Sequence, residues 1–374
     1  MSDINRVGTT LSICVAIYNI KAEYLRACIE SARAGLPAEA ELILGDDGSK
    51  EETAKICREY ADKDERIRYI RPERNGGVSY IRNVMIDEAK GKNVTFIDGD
   101  DAVANGYAAA ICNALSSADK EYDIVMFKWQ RFDGDVPRIA AKSETIKAVP
   151  HSAAGDFSRA CLTGEPPHIE KYGMVDSTPS SVCIKVYRRE FLNENNLRFT
   201  VGIRKSQDVD FNTRAFFVCK TLGYLPQTLY LYRKNPESVT NRYNPDIKKI
   251  LYDSIGCDRY NLTELYQNDR GIERLWRRYK LLFYLINFFE LDVFHRDNPK
   301  KYVERRQDFI GFIQEKPFGD FFITFDFLSY DWNERKLILM LAAKRKFGVL
   351  NFMYRYPITF KIYGKIKKIF GKRG

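Results

Sequence analysis

Short β-branched runs alternate with amphipathic helical stretches through the first third of the chain, and this rhythm narrows the possible folds more than any other feature. Residues 11–18 form an apolar run, followed by a helical pattern through Tyr24, Leu25, Cys28 and Ile29. Residues 41–44 repeat the strand signal and end in Asp46, Asp47, Gly48 and Ser49. Residues 51–60 are then helical, with Ser49 and Glu52 spaced as a capping box. Residues 67–70 predict a third strand, 78–89 a helix, and 94–97 a fourth strand ending in Asp98, Gly99, Asp100 and Asp101. This order predicts an α/β fold whose mostly parallel sheet is flanked by helices and binds ligands outside the carboxyl ends of its strands. Both acidic clusters fall at such ends.

From residue 105 the pattern loosens. A helix to 115 and a strand over 124–129 precede a polar stretch carrying Pro137, Pro150, Pro166, Pro167 and Pro179, where loops are expected. Strand signals return at 182–187 and 228–232, with a helix starting near Ser206 between them. After Asn244 and Pro245 the chain turns to aromatic-rich helical segments, including 272–289 and 335–346, which predict a helical C-terminal region.

The net charge of +10 is concentrated at one end. Residues 344–374 hold ten lysines and arginines and no acid, so the remainder balances at 50 against 50 and offers no basic groove for nucleic acid. Within that tail Ile358, Ile362, Tyr363, Ile366, Ile369 and Phe370 recur at helical spacing, and Lys361, Lys365, Lys368 and Lys372 fall opposite. The pattern predicts a basic amphipathic helix at an anionic membrane surface; docking on the protein's own body and a solubilising end are the other readings. No apolar run approaches the ~20 residues of a spanning helix, and residues 1–10 lack a secretory signal pattern. Eight scattered cysteines without a C-x-x-C pair suit a reducing, cytoplasmic setting, with attachment to the inner face of the membrane through the tail.

Three carboxylates within four residues at Asp98, Asp100 and Asp101 repel one another, by ~1 kcal/mol per pair in water and ~4 kcal/mol at an effective dielectric of 20 for a 4 Å separation. A divalent cation with oxygen ligands, Mn2+ or Mg2+, relieves that repulsion. An aspartate-rich turn, with Asp101 as its structural member, is the alternative. Asp46 and Asp47 suit either a hydrogen bond to a base or ribose or an Asx turn. Asp208 at a helix start suits a general base or a carboxylate held by the helix dipole. His151, His168 and His295 are too dispersed for a zinc site, and no glycine-rich phosphate loop of the dinucleotide or P-loop type occurs.

Taken in order, these segments resemble glycosyltransferase family 2, the inverting enzymes of GT-A fold, from about residue 11 to 241. LSICVAIYN at 11–19 is similar to the opening strand, with Ala16 where proline is common, and Asp46 to Ser49 matches the DDGS segment. NGGVSYIRNVMIDEAKGKNVTFIDGDD at 75–101 is similar to the glycine turn, the arginine-asparagine helix and the DxD-bearing strand end. SQDVDF at 206–211 resembles the ED motif with Gln207 in place of glutamate, and Tyr232, Arg233, Ser238, Val239 and Thr240 resemble the later YR and SxT segment, without the histidine some members add.

The resemblance implies a nucleotide-diphosphate-sugar donor, a UDP-sugar, and a glycan or lipid-linked acceptor in bacterial surface polysaccharide or glycolipid synthesis. It implies that Asp47 contacts the base, that Ala16 and Tyr18 pack on the nucleoside, and that Asp98 faces the ribose and, with Asp100, the Mn2+ or Mg2+ ion. Arg82 supports that cluster, or else is a surface helix residue. Asp208 deprotonates the acceptor. The implied organisation is 1–104 as the donor-binding half, 105–244 as the acceptor half of the same domain, 245–343 as a helical domain and 344–374 as the tail. Nucleotidyl transfer and a non-catalytic sugar-nucleotide or glycan-binding role are the rival readings.

Overall fold

The computed structural model describes residues 9–234, 242–324 and 334–356. These fall into two compact units, 9–234 with 256–268 and 242–255 with 269–356. The predicted Ser238, Val239 and Thr240 segment and the tail helix beginning at Pro357 lie outside the described residues.

The first unit opens with the expected alternation: β1 (Leu11–Ile17), α1 (Ala22–Arg33), β2 (Ala40–Asp46), α2 (Glu51–Ala61), β3 (Ile67–Ile70), α3 (Val78–Glu88) and β4 (Asn93–Asp98). β1 and β2 are buried almost throughout, as strands covered on both faces must be. α1 buries Leu25, Cys28, Ile29 and Ala32, one stripe of a 3.6-residue period. All pairs among β3, β2, β1 and β4 are parallel, and the register sets Ile17 beside Asp46 and Ala16 beside Asp98. Two acidic strand ends therefore flank the end of β1.

The chain continues through β5 (Ala102–Val103), α4 (Tyr107–Ser116), β6 (Ile124–Phe132), β7 (Lys147–Val149), α5 (His151–Thr163), β8 (Lys185–Arg188), α6 (Arg189–Glu194), α7 (Gln207–Val218) and β9 (Leu222–Arg233). Sheet order is β3-β2-β1-β4-β8-β6-β9-β5, with β7 on β9. β8 runs antiparallel between β4 and β6, and β9 is parallel to β6. The sheet is thus mixed, yet β1, β4, β6 and β9 all end at one edge.

Three local expectations are corrected. The proline-rich stretch is not all loop, because α5 lies within it; small residues let this helix bury Ala153, Ala154, Phe157, Ala160 and Cys161. Ser158 Oγ donates to Thr213 O of α7 at 2.6 Å, and Phe157 meets Phe216 edge-on. Strand β9 begins at Leu222, not 228, because Pro226 sits where the β6–β9 register shifts, and a bulge spares the ladder its missing N–H. Ser49 and Glu52 form no capping box: α2 starts at Glu51 without a side-chain cap, and Ser49 Oγ accepts from Asn19 N instead.

The second unit is helical. It includes the start of α8 (Ile247–Glu264), then α9 (Arg270–Phe288), α10 (Tyr302–Gln314), α11 (Phe318–Thr324), α12 (Glu334–Ala343) and α13 (Phe347–Arg355). Stacked aromatics such as Phe288 on Phe312, 3.8 Å between centroids, make its core. No helix of the described residues is long and apolar enough to cross a membrane.

Candidate active site

The loops after β1 and β2 are tied together. Asn19 N donates to Ser49 Oγ and Asn19 Oδ1 accepts from Lys50 N, both at 2.9 Å. Asp46 is fully buried and structural: Oδ1 accepts from Ser49 N, and Oδ2 from the Tyr69 hydroxyl and Arg71 Nη1. Asp47, also buried, accepts from Gly76 N and Gly77 N, one on each oxygen, at 2.8 Å. Gly77, at φ 84°, then opens α3 from a backbone region that side chains disfavour. Asp47 thereby fixes where α3 begins, and with it the position of Arg82.

Arg82 is not a surface residue: it is 3% exposed, lies over the Phe199 ring at 5.3 Å, and donates from Nη2 to Asp98 Oδ1 at 2.6 Å. Its Nε and Nη1 have no partner among the described residues. A buried guanidinium with two unused donors is costly, and the Asp98 carboxylate and the Phe199 ring are what offset that cost here. The Asp98 side chain is 42% exposed, so a carboxylate held from behind by Arg82 still faces solvent.

Asp101 is the structural aspartate that the sequence allows for. It is buried, and its carboxylate accepts from the Tyr230 hydroxyl and from Arg233 N. Burial pushes its pKa well up, the charge of Asp98 adds to the rise, and the two hydrogen bonds oppose it. Arg233 also donates from Nε to Asp100 O and from Nη1 to Gly134 O, between the rings of Tyr24 and Phe132. Gly99 N donates to Ala16 O at 3.0 Å, and a Cβ at Gly99 would press on that oxygen, so the turn closes on the end of β1. Ala16 thus lies directly against the acidic turn, and Tyr18, just beyond, is exposed.

Among the described residues no group of three or more His, Cys, Asp or Glu side chains is arranged to hold a metal ion. With Asp101 committed to β9, the turn offers Asp98 and Asp100. Two carboxylates fit Mg2+ or Mn2+ when substrate phosphates complete the shell.

Asp208 projects from the first turn of α7, with Oδ1 accepting from Val209 N at 2.9 Å. Burial raises its pKa; Arg82, the Val209 bond and Lys185 lower it, while Asp98 raises it further. Asp208, Arg82 and Asp98, 126 residues apart at the extremes of the sequence, share one electrostatic neighbourhood. Lys185, absent from the sequence-derived candidates, belongs there too. It is fully buried, its Nζ donates to Thr178 O and Ser181 O, and burial brings its pKa down to about 7. Its only sequence signal is a lysine inside the apolar run VCIKVY.

The comparisons agree with this architecture. The Glycosyl transferase family 2 model matches residues 12–195. The uncharacterized glycosyltransferase EpsJ of Bacillus subtilis is 30% identical over 252 residues, 64% of this chain and 66% of EpsJ, so the chain spans just under two thirds of that relative. The minor teichoic acid biosynthesis protein GgaB of the same organism is 27% identical over 72% of this chain and 28% of its own length. Among solved structures, S. aureus TarS 1-349 in complex with UDP-GlcNAc shares the fold at a TM-score of 0.58 and 19% identity, over 92% of this chain and 91% of that one. Residues 12–195 are similar to glycosyltransferase family 2, within a chain that has a GT-A-like α/β unit and a helical C-terminal region.

Proposed function

We propose that the chain transfers a sugar from a UDP-sugar to a hydroxyl of a glycan or lipid-linked acceptor, with inversion at the anomeric carbon. The observation that carries this is the solvent-facing Asp98 carboxylate at the end of β4, held from behind by the buried Arg82. The UDP-GlcNAc complex of TarS and the teichoic acid role in GgaB's name support a UDP-sugar donor and a surface-polymer acceptor.

In this reading Ala16, Tyr18 and Asp47 receive the nucleoside, Asp98 meets the ribose, and Arg82 supports the acidic cluster from behind. Asp98 and Asp100 would hold Mn2+ or Mg2+, which when bound neutralises charge on the departing diphosphate. Asp208 takes the proton of the acceptor hydroxyl as that oxygen bonds to the anomeric carbon. The carbon–oxygen bond to the diphosphate breaks with its electron pair on the leaving group, and a single displacement inverts the centre.

The test is a UDP-sugar panel scored for thermal stabilisation and UDP release, with and without Mn2+. Stabilisation by one UDP-sugar and UDP release that depends on an acceptor are expected. Release of pyrophosphate instead would move the chain to nucleotidyl transfer, and binding without turnover across a broad acceptor panel would make it a binding subunit.

A further inference from the structure

Beyond the acidic turn, the sheet carries an aromatic surface that the sugar-transfer reading leaves unused. In the parallel pairing of β6 with β9, Trp129 lies beside Tyr230 and Arg131 beside Tyr232. Alternate residues of a strand share a face, so these four side chains point the same way. Tyr230 identifies that face: its hydroxyl donates to the Asp101 carboxylate and accepts from Asp98 N. One step further along the same face, Tyr232 is 39% exposed and meets Trp129 edge to face, with 6.1 Å between centroids. The Arg131 guanidinium lies 5.6 Å from the Trp129 ring and 5.9 Å from that of Tyr232, with no carboxylate partner among the described residues.

Sheet order says which substrate this surface can meet. The nucleoside residues lie on β1 and β2, on one side of β4, whereas β6 and β9 lie on the other side, past β8. A donor running from Asp47 to Asp98 ends at β4, and the aromatic face begins where it stops. The loop leading into β8 borders the same region: Trp129 N donates to Asp176 O, and Asn212 of α7, the helix that carries Asp208, donates to Ser180 O. A pyranose ring suits this surface, because its C–H face packs on an aromatic ring while its hydroxyls accept from a guanidinium.

The geometry points to Trp129, Arg131 and Tyr232 as the subsite on which a pyranose ring of the acceptor stacks, an assignment that rests on the proposed sugar transfer. The test uses the full chain with its best UDP-sugar and a panel of soluble oligosaccharides that includes N-acetylchitotetraose and cellotetraose. It measures acceptor KM, donor KM and acceptor-free donor hydrolysis. Tyr232→Ala and Trp129→Ala should each raise acceptor KM about tenfold, the effect of losing ~1.4 kcal/mol. Donor KM and donor hydrolysis should stay at wild-type values, and Tyr232→Phe, which keeps the ring, should stay within about twofold of wild type. Wild-type acceptor KM in both alanine variants, donor KM rising in step with it, or donor hydrolysis with no transfer to any glycan would overturn the subsite. A wild-type chain that neither binds nor cleaves any UDP-sugar would overturn the sugar-transfer reading first, and the subsite with it.

Discussion

Arg82, buried in α3, holds the solvent-facing carboxylate of Asp98 at 2.6 Å, so the acidic strand end is backed by a cation that bulk solvent cannot screen. The arginine organises the aspartate that faces the ligand. Removing it should therefore affect binding more than folding. Arg82→Met is expected to weaken UDP affinity at least tenfold, since hydrogen bonds to a charged group contribute roughly 1.5–3 kcal/mol. Arg82→Lys, which keeps the charge without the fork, should fall between. Calorimetry on both variants decides the point, and unchanged UDP affinity would remove Arg82 from the site.

Asp100 belongs to no core cluster, and in Asp100→Ala the backbone carbonyl that anchors the turn to Arg233 is retained. The variant should keep the wild-type melting temperature while losing the Mn2+-stimulated part of UDP binding and of transfer. Metal titrations monitored by UDP affinity separate the two effects. Equal Mn2+ stimulation in variant and wild type would rule out the metal role.

For Asp208, replacing carboxylate with amide should leave donor affinity intact and slow transfer by roughly 10² to 10⁴, the span of a positioned general base. The raised pKa gives a second test. A base must be ionised, so the rate should fall on acidification through a pKa above the ordinary carboxylate value of ~4. Arg82 favours the charged form of Asp208, and Arg82→Met should move the acidic limb of kcat at saturating donor to still higher pH. An acidic limb that stays in place in that variant would mean the two residues are not coupled.

Lys185 has a folded pKa of about 7, below the ~10.4 of an unfolded lysine. Between those values the unfolded chain binds more protons, so stability should rise with pH, by at most ~1.4 kcal/mol per pH unit from this group. Below pH 7 both states are protonated and the folded state carries the full cost of the buried charge. Lys185→Met should flatten the slope between pH 7 and 10 in denaturant titrations, and its stability deficit should be smaller at pH 6 than at pH 9. Parallel profiles for variant and wild type would show that the lysine does not titrate in that range.

The basic tail supplies the last expectation, and it rests on the sequence because residues 357–374 lie outside the described residues. The intact chain should sediment with anionic vesicles and release at high salt, and truncation after Tyr356 should abolish binding, each basic residue near the surface contributing ~1 kcal/mol. Equal sedimentation of both chains would leave the tail without a membrane role.

What the sequence determined by itself is what depends on neighbours along the chain. The apolar runs of β1, β2 and β4, the helical stripe of α1, and the acidic turns after β2 and β4 are local patterns, and they were enough to anticipate the α/β unit. The tertiary structure decided everything that depends on partners far away. Whether Arg82 is buried turns on Phe199, 117 residues later, and whether Asp101 is structural turns on Tyr230 and Arg233. α5 stayed hidden because small residues buried against α7 leave little amphipathic contrast, and the start of β9 because a bulge excuses its proline. Lys185 looks like any lysine until the fold surrounds it, and Trp129 and Tyr232 meet only because β6 and β9 pair across about a hundred residues. Periodicity records which face of an element is apolar; it does not record which element will cover that face, and the chemistry of this site depends on that second fact.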